Sequence, residues 1–313
     1  MAFKRFQNIF AESRFSLPFL MVVTLTTWVF CGLWKERLWM QAICLGMSTY
    51  LLIELNNANQ LLRVYSKMVS GSFLLLLIAA NPLFPSLRMG IITLCTTALY
   101  TMLFRCYQQH KSSGWVFYAF LCIGLASLVF PQIVFFIPFL WGAMAFNLYT
   151  LNARTFFASL LGLLTPYWFL FGYGIFSKDQ HFFVDQAVAL SHFAPLFDYD
   201  SVSEHQLVTF GFVALCALTG IIHYMRNSYS DKIQTRMLYE VFILMDIMAL
   251  LFLVLQPQHY EPLMGLLIVN TAPLLAHFIT LTRTWLTNIA FYLILLLSFT
   301  IAIYHLWMPS LIF

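Results

Sequence analysis

Four polar side chains set in apolar surroundings mark where this sequence could do chemistry: Glu240, Asp246, Asn270 and His277. Each lies within a long apolar run, and a carboxylate at mid-bilayer costs about 2.5–3.5 kcal/mol even on lenient scales. Asp246 therefore needs a partner or a use. Two apolar runs join near His259, with Asp246 13 residues before it and Asn270 11 after it, so antiparallel helices bring them to one depth. Glu240, 19 before, and His277, 18 after, match equally well. Asn270 and His277 are seven apart and share a helical face, whereas Glu240 and Asp246, six apart, do not. Straight helices thus allow one direct pair, unless Pro273 bends the second helix. The chemistry on offer is a proton- or cation-coupled pathway or a polar cavity. The commoner use of such residues is as buried polar glue between helices.

Two further groups need weighing. Glu54, Asn56, Asn57 and Arg154 gather near the ends of apolar runs, where Arg154 can pair with Glu54 or Glu240 or snorkel to headgroups. His181, Asp185 and His192 share one face if residues 181–194 are helical, opposite a stripe of Phe183, Ala187, Leu190 and Ala194. That pattern suits a helix lying on a membrane surface. The same face could hold Zn²⁺ with His205 or Asp198 completing the set, but no H-E-x-x-H pattern supports a metal. The phosphate-binding, dinucleotide-binding and hydrolase-elbow glycine motifs are absent, so no cofactor is expected. The six cysteines fall in or beside apolar runs with no C-x-x-C and read as small buried hydrophobes.

Lipid must be the solvent for the elements that hold these residues. Only 9% of the 313 residues are charged and 61% are hydrophobic, with mean hydropathy +0.83; a soluble domain carries about a quarter charged residues. The long continuous runs indicate helices and not a barrel. We expect an all-α polytopic bundle of about eleven membrane spans: residues 16–34, 38–56, 67–83, 89–104, 115–130, 133–150, 155–176, 207–224, 237–256, 262–282 and 285–307. The third and fourth are short for the purpose. Residues 1–15 read as an interfacial segment with Phe3, Phe6 and Phe10 on one face, retained as part of an anchor. Residues 177–206 form the one long acidic loop, and the whole chain is one membrane domain.

Charge sets the orientation. With the N-terminus in the cytoplasm and the C-terminus in the periplasm, twelve of the sixteen Lys and Arg residues fall inside, as the positive-inside rule requires. The expected location is the bacterial cytoplasmic (inner) membrane, with membrane lipids as the surroundings. The net charge of +4 is spread over short loops on one side, so nucleic acid is not an expected partner.

Two stretches carry a resemblance. One runs Leu55-Asn56-Asn57-Ala58-Asn59-Gln60-Leu61, then Ser66-Lys67, to Pro82-Leu83-Phe84-Pro85. The other runs Phe136-Ile137-Pro138-Phe139-Leu140 through Arg154 and Gly162-Leu163-Leu164 to Pro166-Tyr167. Over about half its length the chain resembles a family of integral membrane proteins of Bacteroidota, a domain of unknown function. The resemblance implies inner-membrane residence and no particular catalysis, with Arg154, Gly162 and Pro166 as its most distinctive positions. Their physical reading is an interface anchor, a close helix contact and a kink.

The expectation for function is a non-catalytic protein of transport or envelope assembly, working with an envelope protein complex or a lipid-linked substrate. The alternative is a membrane enzyme of lipid-linked glycan metabolism. Glycosyltransferases of that kind place acidic residues in a sizeable first outer loop, which here is only Lys35-Glu36-Arg37. The related polymerases carry arginines in large outer loops, whereas the long loop here has five carboxylates and Lys178.

Overall fold

The computed structural model describes residues 5–307, apart from positions 110 and 283 and most of those from 178 to 201. Among the described residues the chain is all-α, with no strand. The helices are α1 (Phe6–Glu12), α2 (Ser16–Phe30), α3 (Trp39–Asn59), α4 (Met68–Ala79), α5 (Leu87–Leu103), α6 (Ser113–Val129), α7 (Ile137–Phe146), α8 (Ala153–Ser177), α9 (Glu204–Asn227), α10 (Ile233–Leu255), α11 (Tyr260–Leu281) and α12 (Trp285–Trp307).

Each apolar run expected to span is helical, but they are not equivalent. The helices α5, α8, α9, α10, α11 and α12 are long and apolar enough to cross a membrane, and α1 with α2, bent by 88°, makes up to seven. The segments around α4, α6 and α7 are shorter apolar helices. At ~1.5 Å per residue α4 rises about 18 Å, against roughly 30 Å of hydrocarbon. It tolerates this because every one of its residues is buried in protein. Helix α3 has the length, but Gln41, Glu54, Asn56, Asn57 and Asn59 dilute its apolar character.

Helices α4 and α11 pack together as the centre of the bundle. Apart from Glu261, α11 is buried from Tyr260 to Thr280. Around this pair stand α2, α3, α5, α9, α10 and α12, while α6 and α8 form an outlying pair attached through α5. The outer faces are greasy: Phe157, Leu161, Leu164, Trp168 and Phe169 on α8 are all exposed. Gly124 and Gly162 allow α6 and α8 to touch backbone to backbone, since a Cβ on Gly162 would collide with the Phe117 carbonyl oxygen. Pro166 of α8 fits beside Gly124 in the same contact.

Helix α1 closes one end of the centre. The last carbonyls of a helix lack intrahelical donors, and Gln7 Nε2 donates to Ile279 O (2.7 Å) and Thr282 Oγ1 (2.6 Å). Asn8 Nδ2 donates to Thr282 O at 3.1 Å, so α1 caps α11. Phe6 stacks on Tyr292 at 5.4 Å and Phe10 meets Phe291 at 5.6 Å.

Cross-contacts sort the connections into two ends. At one end Ser66 Oγ donates to Ala11 O (2.5 Å), Lys232 Nζ to Gln60 Oε1 (2.7 Å) and Asn147 Nδ2 to Glu240 Oε2 (2.6 Å). At the other, Gln41 Nε2 donates to Pro85 O (2.9 Å), Ser86 Oγ to Glu261 Oε2 (2.5 Å) and Asn81 Nδ2 to Ala302 O (3.1 Å). The first end carries Arg14, Arg63, Lys67, Arg105, Arg226, Lys232 and Arg236, and the second Lys35, Arg37 and Arg88. We call the first the basic end.

Candidate functional site: a buried polar file and a cleft at the basic end

The central helix α11 carries polar groups over two turns. Tyr100 OH donates to Asn270 Oδ1 at 2.6 Å, and Thr271 Oγ1 donates to Asp246 Oδ1 at 3.1 Å. Asp246, Asn270 and Thr271 have no exposed surface. Asp246 Oδ2 and Asn270 Nδ2 have no hydrogen-bond partner. A turn nearer the basic end, Tyr239 OH donates to Pro273 O at 3.4 Å. One further turn on, His277 Nε2 lies 3.0 Å from Asp231 Oδ2, and His277 Nδ1 lies 3.3 Å from His223 Nδ1. Arg63 Nε donates to the other oxygen of Asp231 at 2.5 Å.

Acceptor-only chemistry fixes the sense of this chain. An ionised Asp231 carboxylate can only accept, so Nε2 of His277 carries a hydrogen. Across the Nδ1–Nδ1 contact one of the two imidazoles donates and the other accepts. The rings of Tyr224 and Tyr239 meet His277 edge-on at 5.3 and 5.1 Å and wall off its sides. Asp231 follows a short turn over Ser228–Ser230, held by its own N–H to Ser228 O at 3.0 Å. Burial pushes its carboxyl up, but the hydrogen bonds and charges of His277 and Arg63 outweigh that and hold it below the ordinary carboxylate range.

Asp231 and Arg63 also line a cleft at the basic end. Its lining also includes Asn57, Gln60, Lys232 and Thr235, with Val64 and the exposed Tyr65 beside them. Gln60 ends α3 in the left-handed region (φ 49°), which a residue other than Gly or Asn seldom adopts. That turn aims its amide at Lys232.

The structure rearranges several expected pairings. Asp246 and Asn270 do share a depth, but the direct partner of Asp246 is Thr271, one residue on. Glu240 does not meet His277: six residues from Asp246, it turns outward and accepts from Asn147. Arg154 is exposed and pairs with neither Glu54 nor Glu240; Glu54 faces Arg105 at 3.9 Å. Asn56 is buried and donates to Ser66 O at 2.9 Å. His181, Asp185, His192, Asp198 and Asp200 lie outside the described residues. His205 meets His305 at the opposite end, Nδ1 to Nδ1 3.0 Å. Among the described residues no group of three or more metal-ligating side chains is gathered.

Three members of the site carry weak sequence signals. Asp231 and Arg63 sit in polar connections that read as solvated loops. His223 lies one residue from the end of an expected span, and its depth, matching that of His277 in the parallel span two along the chain, was the available clue. Comparison with protein-family models, with curated proteins and with solved structures finds no match.

Proposed function

We propose that the chain is a non-catalytic multi-pass protein of the bacterial cytoplasmic membrane that serves transport or envelope assembly. It crosses the bilayer about eleven times, with the basic end and N-terminus in the cytoplasm and the C-terminus in the periplasm. The sorting of basic residues to one end supports this orientation. Of the two roles, transport coupled to proton or cation movement has the stronger support.

One observation carries that choice. A polar group used only to glue helices should have its hydrogen bonds satisfied, and each buried orphan costs about 1–3 kcal/mol. Asp246 Oδ2 and Asn270 Nδ2 are orphaned together on opposite helices at one depth. The file from there to Asp231 leads toward the cleft. An intramembrane ionisable group so placed is the usual mark of an ion path.

The test is proton flux through proteoliposomes holding the full chain, read with an enclosed pH-sensitive dye after an imposed gradient. Wild type should dissipate the gradient faster than empty vesicles, and Asp246→Asn should slow it about tenfold or more. Identical rates for wild type, Asp246→Asn and empty vesicles contradict proton coupling.

Assembly without transport is the second reading. It is favoured by the complete enclosure of Asp246, since a transporter must open a path to it. On that reading an envelope protein complex docks on the bundle and co-purifies with it at fixed stoichiometry.

A further inference from the structure

We propose that the cleft at the basic end binds a phosphate-bearing anion, either a phospholipid headgroup or a soluble phosphorylated compound. The inference is independent of proton coupling, because it uses the cleft and not Asp246. Two cations line the cleft, Arg63 and Lys232, against one carboxylate, Asp231. That carboxylate is already occupied by Arg63 on one oxygen and His277 on the other. Lys232 has no carboxylate partner among the described residues; its ammonium donates to Gln60 Oε1, leaving two of three N–H donors for a ligand.

Helix geometry adds to the charge. Lys232 is the N-cap of the 23-residue helix α10, and no side chain caps that terminus. The first backbone N–H groups there need acceptors, and the positive end of the helix dipole favours an anion. Ser230 and Thr235 flank the terminus inside the cleft. A second, separate feature points to a ligand: Asn56 lines the same cleft, is 9% exposed, and its Oδ1 has no partner. A protonated phosphate oxygen or a headgroup ammonium or hydroxyl supplies the donor it lacks. Val64 and the exposed Tyr65 give the apolar remainder of a ligand a place to rest.

The experiment uses the purified full chain. In the lipid arm, native mass spectrometry after detergent exchange compares retention of phosphatidylglycerol and phosphatidylcholine. In the soluble arm, thermal unfolding in detergent is followed against inorganic phosphate, with chloride at equal ionic strength as reference. Lys232→Gln should weaken binding about tenfold, Lys232→Arg should restore most of it, and Arg88→Gln at the opposite end should leave it unchanged. Preferential retention of phosphatidylglycerol identifies the headgroup; stabilisation by phosphate alone identifies a soluble compound. No binding in either arm overturns the proposal, as does binding that Lys232→Gln and Arg88→Gln alter equally.

Discussion

His277 reaches Asp231 across 46 residues, Nε2 to Oδ2 3.0 Å, and so ties the central helix α11 to a loop at its basic end. Both side chains are fully buried. Removing Asp231 leaves the buried Nε2–H of His277 without its acceptor, and a buried donor so orphaned costs about 1–3 kcal/mol. Asp231→Ala should therefore lower unfolding stability in detergent by an amount of that order. Arg63→Ala should cost less, because the arginine side chain is 38% exposed and water can replace part of what is lost.

The same carboxyl sets a pH dependence. Its folded value is held below the ordinary range, while the unfolded chain titrates near about 3.9. Above that pH both states are ionised and the contribution of Asp231 is complete. As pH falls below it, the unfolded chain takes up its proton first, and the contribution is lost as pH passes through the lower folded value. Unfolding midpoints measured from pH 7 downward should show a drop beginning near pH 4 that Asp231→Asn lacks.

Single hydrogen bonds along the central helix should each matter modestly. In membrane bundles such bonds average about 0.6 kcal/mol and reach about 1.7. Tyr100→Phe removes the donor to Asn270, and Thr271→Val removes the donor to Asp246. Each should cost an amount in that range in reversible unfolding. A loss several times larger for Thr271→Val would mean that Asp246 depends on it alone.

Close packing of α6 on α8 gives a contrast within one helix. A Cβ at Gly162 collides with Phe117 backbone, while one at Gly172 meets nothing within 4 Å. Gly162→Ala should destabilise by about 1–3 kcal/mol, the usual cost of overpacking. Gly172→Ala should be neutral or slightly stabilising, because alanine is the better helix former.

The turn at Gln60 offers a separation of stability from binding. Gln60→Gly should relieve the left-handed backbone and stabilise by about 1 kcal/mol, yet it removes the amide that holds Lys232. Phosphate binding in the cleft should weaken while the unfolding midpoint rises.

Hydrophobic runs alone were enough to locate the helices, because a backbone in lipid has few other ways to satisfy its polar groups. Counting residues from His259 was enough to match Asp246 with its neighbours on α11, since rise per residue is fixed. Azimuth was harder: a shift of one residue turns the side chain by about 100°, which separates Thr271 from Asn270 and sends Glu240 outward. The run that holds α4 was visibly short for a span, but its composition did not show that protein sheathes it, because a buried short helix and a lipid-facing one are similarly apolar. The ion pair of Arg63 and Asp231 joins connections 168 residues apart. Nothing local in either loop distinguishes it from a solvated turn.

Side-specific labelling tests the arrangement most directly. In a chain whose native cysteines are replaced, Ser230→Cys at the basic end and Ser203→Cys at the other are treated in intact cells with a membrane-impermeant maleimide. The account predicts that Ser203→Cys reacts from outside and that Ser230→Cys reacts only after the membrane is opened. Equal reaction of both from outside, or protection of both, contradicts it.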